Sequence, residues 1–290
     1  MRIGILIFST PKRDEHAQAD RFEEAGRELG VEVVRVHEPT LTITKDGPDA
    51  RDVDLLVCRP NFVEEPSLHQ FTIKSFVDAG IRVINAGILG PKNKLDQHVR
   101  LAEANVEMPR WAIAHTPDRI LAAAQTIGFP VVLKVAFGTH GKGVFYAPNI
   151  ETLLPIADYL AVRDGNPVIV EECVTEANRR DLRAFVLGGQ VIAAMEREAK
   201  DGDIRANASI GGTGHPVTLT DEEQRVAIAS AKAFDLEIAG VDILRSNRGP
   251  LVIEVNSNPG FKELERVTGI NVAKAILEYA MIEAKKGRIA

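Results

Sequence analysis

The chain has 290 residues, 45% hydrophobic and 26% charged, with a formal net charge of −6. These are ordinary globular values, enough for a sizeable core spread over two or three lobes. The acidic balance argues against general nucleic-acid affinity, which draws on basic surface, and no apolar run approaches the ~20 residues of a membrane span. Two cysteines, Cys58 and Cys173, imply no disulfide framework, and the N-terminus enters a strand without a signal-peptide pattern. A reducing, cytoplasmic setting is expected.

Residues 3–8 read as a continuous apolar strand, followed by a polar loop and a helix over about 15–29 closed by Gly30. Further strands are predicted at 31–36, 54–58 and 83–84, with a helix over 71–78 before the last. This alternation predicts a small open α/β lobe with a mostly parallel sheet. Ligands of such sheets lie beyond the carboxyl ends of strands, where Arg59, Asn61 and Asn85 fall. Gripping a substrate and shaping a turn are equally good readings of those three. Residues 87–93 read as a connector and 94–105 as a helix. Residues 111–114 make a strand, and Thr116-Pro117 opens a helix to about 127.

A strand over 130–135 leads into the glycine-rich Gly138-Thr139-His140-Gly141-Lys142-Gly143. Glycines let backbone N–H groups approach phosphate oxygens, although a plain hairpin has the same look. It is not a Walker loop, since neither Ser nor Thr follows Lys142. Lys134 sharpens the reading. A lysine in an apolar strand either snorkels outward or meets an anion, here read as a nucleotide phosphate; His140 reads as a solvated loop residue. After a helix near 150–162, a strand over 168–174 carries Glu171 and Glu172, either a carboxylate for a ribose beside adenine or an acidic edge terminus. A hairpin over 181–187 and 190–197 turns at Gly188-Gly189. Arg183, Arg197, Lys200, Arg205 and Asn207, in and after it, form a solvated face or a grip for phosphates and carboxylates. Residues 210–214 read as a mobile glycine stretch, Thr220 to Glu223 as a capping box for a helix to about 234, and 271–286 as a final helix.

Between those helices, apolar runs at 241–244 and 251–255 flank the turn Ser246-Asn247-Arg248-Gly249-Pro250, a β-hairpin. Strand alternation points Glu254 and Asn256 one way and Val255 the other, and the hairpin can bring Asp242 onto their face. A lone strand carboxylate is more often a solvated edge charge. Here both carboxylates interrupt apolar runs, where an unpaired charge is costly. Two carboxylates and an amide suit a hard divalent cation.

In this order, an α/β lobe, Lys94, Lys134 before a glycine-rich loop, Glu171-Glu172 and a late D…ExN triad resemble the ATP-grasp carboxylate–amine ligases. The runs MEREAKDGDIRAN, AGVDILRSNRGPLVIEVNSNPG and VTGINVAKAI are most similar to the RimK-type α-L-glutamate ligases, which modify ribosomal proteins. The resemblance implies an α/β (α+β) ATP-grasp fold: an N-terminal α/β lobe over 1–90, a central lobe over 91–167 and a C-terminal lobe over 168–290. It implies that Lys94 and Lys134 hold ATP phosphates under a lid containing Gly138, Gly141 and Gly143. Glu172 and Cys173 fall at the adenine hinge, with Asp181, Arg205, Ala206 and Asn207 also on the nucleotide. Cys173 stands where the family often carries an aromatic residue. Asp242, Glu254 and Asn256 would bind two Mg²⁺ or Mn²⁺ ions, and Arg183 and Arg197 would orient the carboxylate or acyl phosphate. The activity implied is ATP-dependent addition of L-glutamate to a carboxylate acceptor: a peptide, a protein tail such as the C-terminal glutamate of a ribosomal protein, or a small molecule, coenzyme or carrier. Related enzymes imply a homo-oligomer, often a tetramer. A nucleotide-binding regulator without catalysis is the reading from another class, and retention of the three metal ligands and both lysines weighs against it.

Overall fold

The computed structural model describes residues 1–9, 18–59, 69–89, 93–136, 143–163, 165–199 and 213–286. Its N-terminal apolar runs become parallel strands, β1 (Arg2–Ile7) and β2 (Glu32–His37). A small hairpin of β3 (Ile43–Thr44) and β4 (Gly47–Pro48), not predicted from sequence, separates these from β5 (Leu55–Arg59) and β6 (Arg82–Ile84). The order is β2-β1-β5-β6, parallel throughout. Helices α1 (Ala19–Leu29) and α2 (Gln70–Asp78) supply the crossovers. Gly30 ends α1 at φ 66°, the left-handed cap that favours glycine.

Helix α3 (Lys94–Glu103) leads to a second, antiparallel sheet of β7 (Trp111–Ala114), β8 (Val131–Val135), β9 (Val144–Ala147) and β10 (Val168–Glu172), in the order β7-β10-β8-β9. Helices α4 (Pro117–Ile127) and α5 (Ile150–Arg163) belong to this unit, whose core includes Ile120, Leu133, Leu153 and Val170.

The third sheet is antiparallel, in the order β13-β12-β11-β14-β15. Its strands are β11 (Arg180–Leu187), β12 (Gln190–Glu198), β13 (Thr213–Pro216), β14 (Ile238–Ser246) and β15 (Gly249–Asn256), with α6 (Asp221–Ala233), α7 (Lys262–Thr268) and α8 (Val272–Lys286). The capping box forms as read: Thr220 accepts from the Glu223 N–H, and the Glu223 carboxylate accepts from that of Thr220. Thr213 and Gly214 are strand residues paired with Glu198 and Arg197, which corrects the reading of that stretch as a mobile loop; residues 210–212 lie outside the described residues. Among the described residues no helix is long and apolar enough to cross a membrane.

Alternation sorts the third sheet into two faces. Leu182, Ala184, Val241, Ile243 and Val255 share a core with Ala227 and Ala231 of α6. Phe185, Met195 and Ile238 share another with Phe261, Leu264 and Ile276, and with Ile5, Ile7 and Val57 of the first sheet. Each such side chain fully buried contributes roughly 1.5–3 kcal/mol, so the first and third sheets are joined through common apolar packing.

Asn85 reinforces that joint. Fully buried and at φ 61°, it accepts from the Ile238 N–H at 2.7 Å and donates to the carbonyls of Ile238 at 2.7 Å and Ser257 at 3.3 Å. Of the two readings of Asn85, the structure supports the turn and clamp. Asn61 lies outside the described residues. Asn85→Ala is expected to cost about 2–3 kcal/mol, since it strands buried backbone groups. Urea unfolding followed by far-UV circular dichroism measures it, and unchanged stability would remove the clamp.

Candidate active site

The hairpin of β14 and β15 owes its chemistry to one extra residue. Ser246 pairs with Gly249, and the register runs on to Ile243 opposite Val252. Continued without interruption, it would set Asp242 opposite Ile253 and send Glu254 to the other face. Instead the register shifts, Asp242 pairs with Glu254, and Gly240 pairs with Asn256. This one-residue bulge, a device that re-aims side chains, puts Asp242, Glu254 and Asn256 on one face as expected. Val255, pointing opposite, is buried on α6's side.

Neighbouring strands add three charges to that face. Arg183 on β11 lies directly across from Asp242, and Asp181 lies across from Arg197 on β12. Arg183 donates through Nε to Asp242 Oδ1 and through Nη2 to Oδ2 at 2.9 Å. Arg197 donates to Asp181 at 2.6 and 2.7 Å, and its Nη2 also lies 2.9 Å from Asp242 Oδ2. All four groups are buried, so the arginines are not a solvated face. Burial would raise the pKa of Asp242, but Arg183 and Arg197 outweigh it and hold the carboxyl below its usual range. Asp181 goes the other way, pushed up by burial and by Asp242 against the pull of Arg197.

As a donor set the face fits a hard cation: two carboxylates and the Asn256 amide oxygen, which here accepts from the Asn258 N–H at 2.9 Å. Among the described residues no cluster of three or more His, Cys, Asp or Glu forms a ready-made cage, so water and substrate oxygens would complete the coordination. A cation at Asp242 must also displace arginine N–H groups.

The lysines converge on the same region. Lys94 opens α3, its N–H donating to the Ala136 carbonyl at 3.0 Å, and its Nζ lies 4.0 Å from Glu254 Oε1. Lys134, buried in β8, does meet an anion, which here is Glu171, 2.5 Å from its Nζ. The other Glu171 oxygen lies 2.8 Å from His98 Nε2, while His98 Nδ1 lies 2.8 Å from the Lys94 carbonyl. Both ring nitrogens thus face oxygen acceptors. His98, missed in the sequence, gave no signal beyond a polar residue on a helix.

Glu171 is buried on an inner strand, so it is not an acidic edge. The Glu172 carboxylate accepts from the Arg110 backbone and side chain and from Arg248 Nη2 at 2.7 Å. The half-buried Cys173 donates its N–H to the Pro130 carbonyl, and burial together with Glu171 and Glu172 pushes its thiol pKa up. Gly143, at φ 81°, approaches β8 so closely that a Cβ would fall 2.3 Å from Val135 Cγ2. Asn61, Gly138, His140, Gly141, Lys142, Lys200, Arg205, Ala206 and Asn207 lie outside the described residues.

Residues 91–280 match the RimK-like ATP-grasp domain. The chain belongs to that family. It is similar to a probable alpha-L-glutamate ligase of Enterobacter sp. strain 638, 39% identical over 205 residues, 70% of this chain and 68% of that protein. The Methanococcoides burtonii protein of the same name is 32% identical over 303 residues, 99% of this chain and 98% of its own. Among solved structures, the ATP-grasp ligase PsnB complexed with minimal precursor, Mg and ADP has the same fold at TM-score 0.75 and 18% identity, with 97% of each chain covered. Family membership makes the chain an ATP-dependent ligase.

The acid pairs of this region set a pH dependence. Burial works to raise the pKa of Glu172, but the Arg110 and Arg248 hydrogen bonds outweigh it and lower it to about 2. Glu171, raised by burial and lowered more by Lys134 and His98, also ends below its usual value. Both folded values lie below the unfolded value near 4.5, so the stabilisation is complete above that pH and is lost as pH falls towards the folded values. Thermal unfolding from neutral pH down to about 3 should therefore show a stability loss that Glu172→Gln reduces. An equally steep loss in the variant would show that the arginine pairs do not contribute.

Proposed function

We propose that the chain joins the amino group of L-glutamate to an acceptor carboxylate, using ATP and releasing ADP and phosphate. The observation that carries this reading is the single polar face holding Asp242, Glu254, Asn256, Arg183 and Arg197 beside Lys94. Two further facts support it: the curated relatives are named probable alpha-L-glutamate ligases, and PsnB, a ligase of the same fold, is known with Mg and ADP.

A carboxylate is a poor electrophile, so amide formation in water needs activation. In this reading an oxygen of the acceptor carboxylate takes the γ-phosphoryl group, ADP leaves, and an acyl phosphate results. The glutamate nitrogen, having lost a proton, attacks the acyl carbon and inorganic phosphate departs. Lys94 and Lys134 hold phosphate oxygens beneath the loop of Gly138, Gly141 and Gly143. The backbone at Glu172 and Cys173 receives adenine, and Asp181, Arg205, Ala206 and Asn207 complete the nucleotide site. Two Mg²⁺ or Mn²⁺ ions on Asp242, Glu254 and Asn256 would neutralise charge on the transferring group.

The ion pairs of the face acquire a role in this scheme. When Asp242 turns to a cation, Arg183 and Arg197 are released to donate to the carboxylate or acyl phosphate. When Lys134 turns to a phosphate, His98 keeps the buried Glu171 paired. The acceptor is the C-terminal glutamate of a peptide or protein tail, or a small-molecule, coenzyme or carrier carboxylate. The working unit is a homo-oligomer, a tetramer.

Intact-mass analysis of products from ATP, Mg²⁺, L-glutamate and a panel of carboxylate acceptors tests the reaction, with steps of one glutamyl residue expected only when ATP is present. Glu254→Gln should lower that turnover at least about 10²-fold with the fold retained. Absence of product with every acceptor would overturn the glutamate reading, and full turnover in the variant would overturn the metal assignment.

A further inference from the structure

Three arginines among the described residues are buried: Arg59, Arg183 and Arg197. The last two each face carboxylates. Arg59, at the carboxyl end of inner strand β5, is 1% exposed and has none among the described residues. Its Nη2 donates to the Pro259 carbonyl at 2.9 Å and to Gln18 Oε1 at 3.4 Å. Nε and Nη1 have no hydrogen-bond partner among the described residues. The guanidinium carbon lies 5.4 Å from the Phe261 ring centroid and 6.0 Å from that of Phe22. Burial lowers its pKa to about 9, so it is still a cation at neutral pH.

A buried cation with unsatisfied N–H groups is costly to keep, and aromatic faces compensate only in part. A structural pin to one carbonyl needs no positive charge. The position explains the charge better. Pro259 belongs to the segment that leaves β15 just after Asn256, and it packs over Gly240, where a Cβ would lie 2.7 Å from Pro259 Cβ and 3.2 Å from Arg183 Nη1. Arg59, Pro259, Gly240 and Arg183 are thus successive neighbours, leading from the end of a parallel strand to the polar face. Guanidinium is the group best matched to a carboxylate.

We propose that Arg59 is the anchor for a non-reacting carboxylate of a substrate, which makes that substrate at least a dicarboxylate. The inference rests on the ligase reading and adds a substrate class to it: one carboxylate is activated or lies beside the reacting amine, while the other is held at the seam between the first and third sheets. The guanidinium is closed over by Pro259 and Phe261, so binding moves the 257–261 segment off it. An acceptor ending in glutamate and the incoming L-glutamate both carry such a group.

The test compares wild type with Arg59→Gln and Arg59→Lys, varying acceptor and L-glutamate separately. Loss of the cation should raise KM for one of them about tenfold or more, with KM for ATP within about twofold, and Arg59→Lys should recover part of the loss. Which KM rises identifies the source of the carboxylate. Thermal protection by glutarate, against the neutral glutaramide, reads the site without turnover. It is expected in wild type, absent in Arg59→Gln and partial in Arg59→Lys. Should wild type make no product, the ligase reading fails while the glutarate arm still reports on Arg59. A folded Arg59→Gln protein with unchanged glutarate protection and unchanged KM for both substrates would overturn the proposal. So would a variant whose ATP and substrate KM rise together, as a merely structural pin predicts. If Arg59→Gln does not fold, wild-type protection by glutaramide equal to that by glutarate overturns it.

Discussion

Two carboxylates and two guanidiniums lie buried on one face of the third sheet, and they are tolerable there because they neutralise one another. Asp181 and Asp242 balance Arg183 and Arg197, and hydrogen bonds connect the four. Removing any one member leaves an uncompensated buried charge, at about 3–5 kcal/mol. The same arrangement makes the face responsive. A cation arriving at Asp242 takes over the work of the guanidiniums, and an anion arriving beside it takes over the work of the carboxylate. In the proposed reaction, binding of a metal–phosphate pair would then be an exchange of partners, with little net change in buried charge.

A second exchange lies in the neighbouring sheet. Glu171 holds Lys134 on one oxygen and faces His98 on the other, so withdrawal of the lysine leaves the carboxylate with a partner. His98 also faces the carbonyl of Lys94, and Lys94 Nζ lies near Glu254. These contacts connect α3, β8 and β10 to the hairpin of β14 and β15, so groups from two sheets are registered against each other. Asn85 and the apolar packing of the first sheet on α8 hold the remaining side in place.

Much of this was legible in local sequence because the signals are local. The apolar runs at 3–8, 54–58 and 130–135, the Thr116-Pro117 start and the Thr220–Glu223 box depend on near neighbours alone, and each forms. What escaped depends on distant partners. The bulge at Ile253 decides whether Asp242 and Glu254 meet, yet nothing in the run LVIEVN marks it. Of the two readings of Lys134, outward snorkelling or an anion, the structure shows an anion, and it comes from a strand more than thirty residues away. Glu171 and Glu172 were indistinguishable as a pair of acids, and only strand order and alternation send one to Lys134 and the other to Arg110 and Arg248. The short α7 and the edge strand β13 carry too few residues to stand out.

The central claim is that Asp242 changes partners, from arginines to a cation. Anomalous diffraction from crystals grown with Mn²⁺ and a non-hydrolysable ATP analogue measures it directly. The account predicts manganese bound to Asp242, Glu254 and Asn256, at least one of Arg183 and Arg197 turned from Asp242 towards the anion, and Lys134 on phosphate oxygen. Nucleotide bound with Asp242 still held by both arginines, and manganese elsewhere, would contradict it.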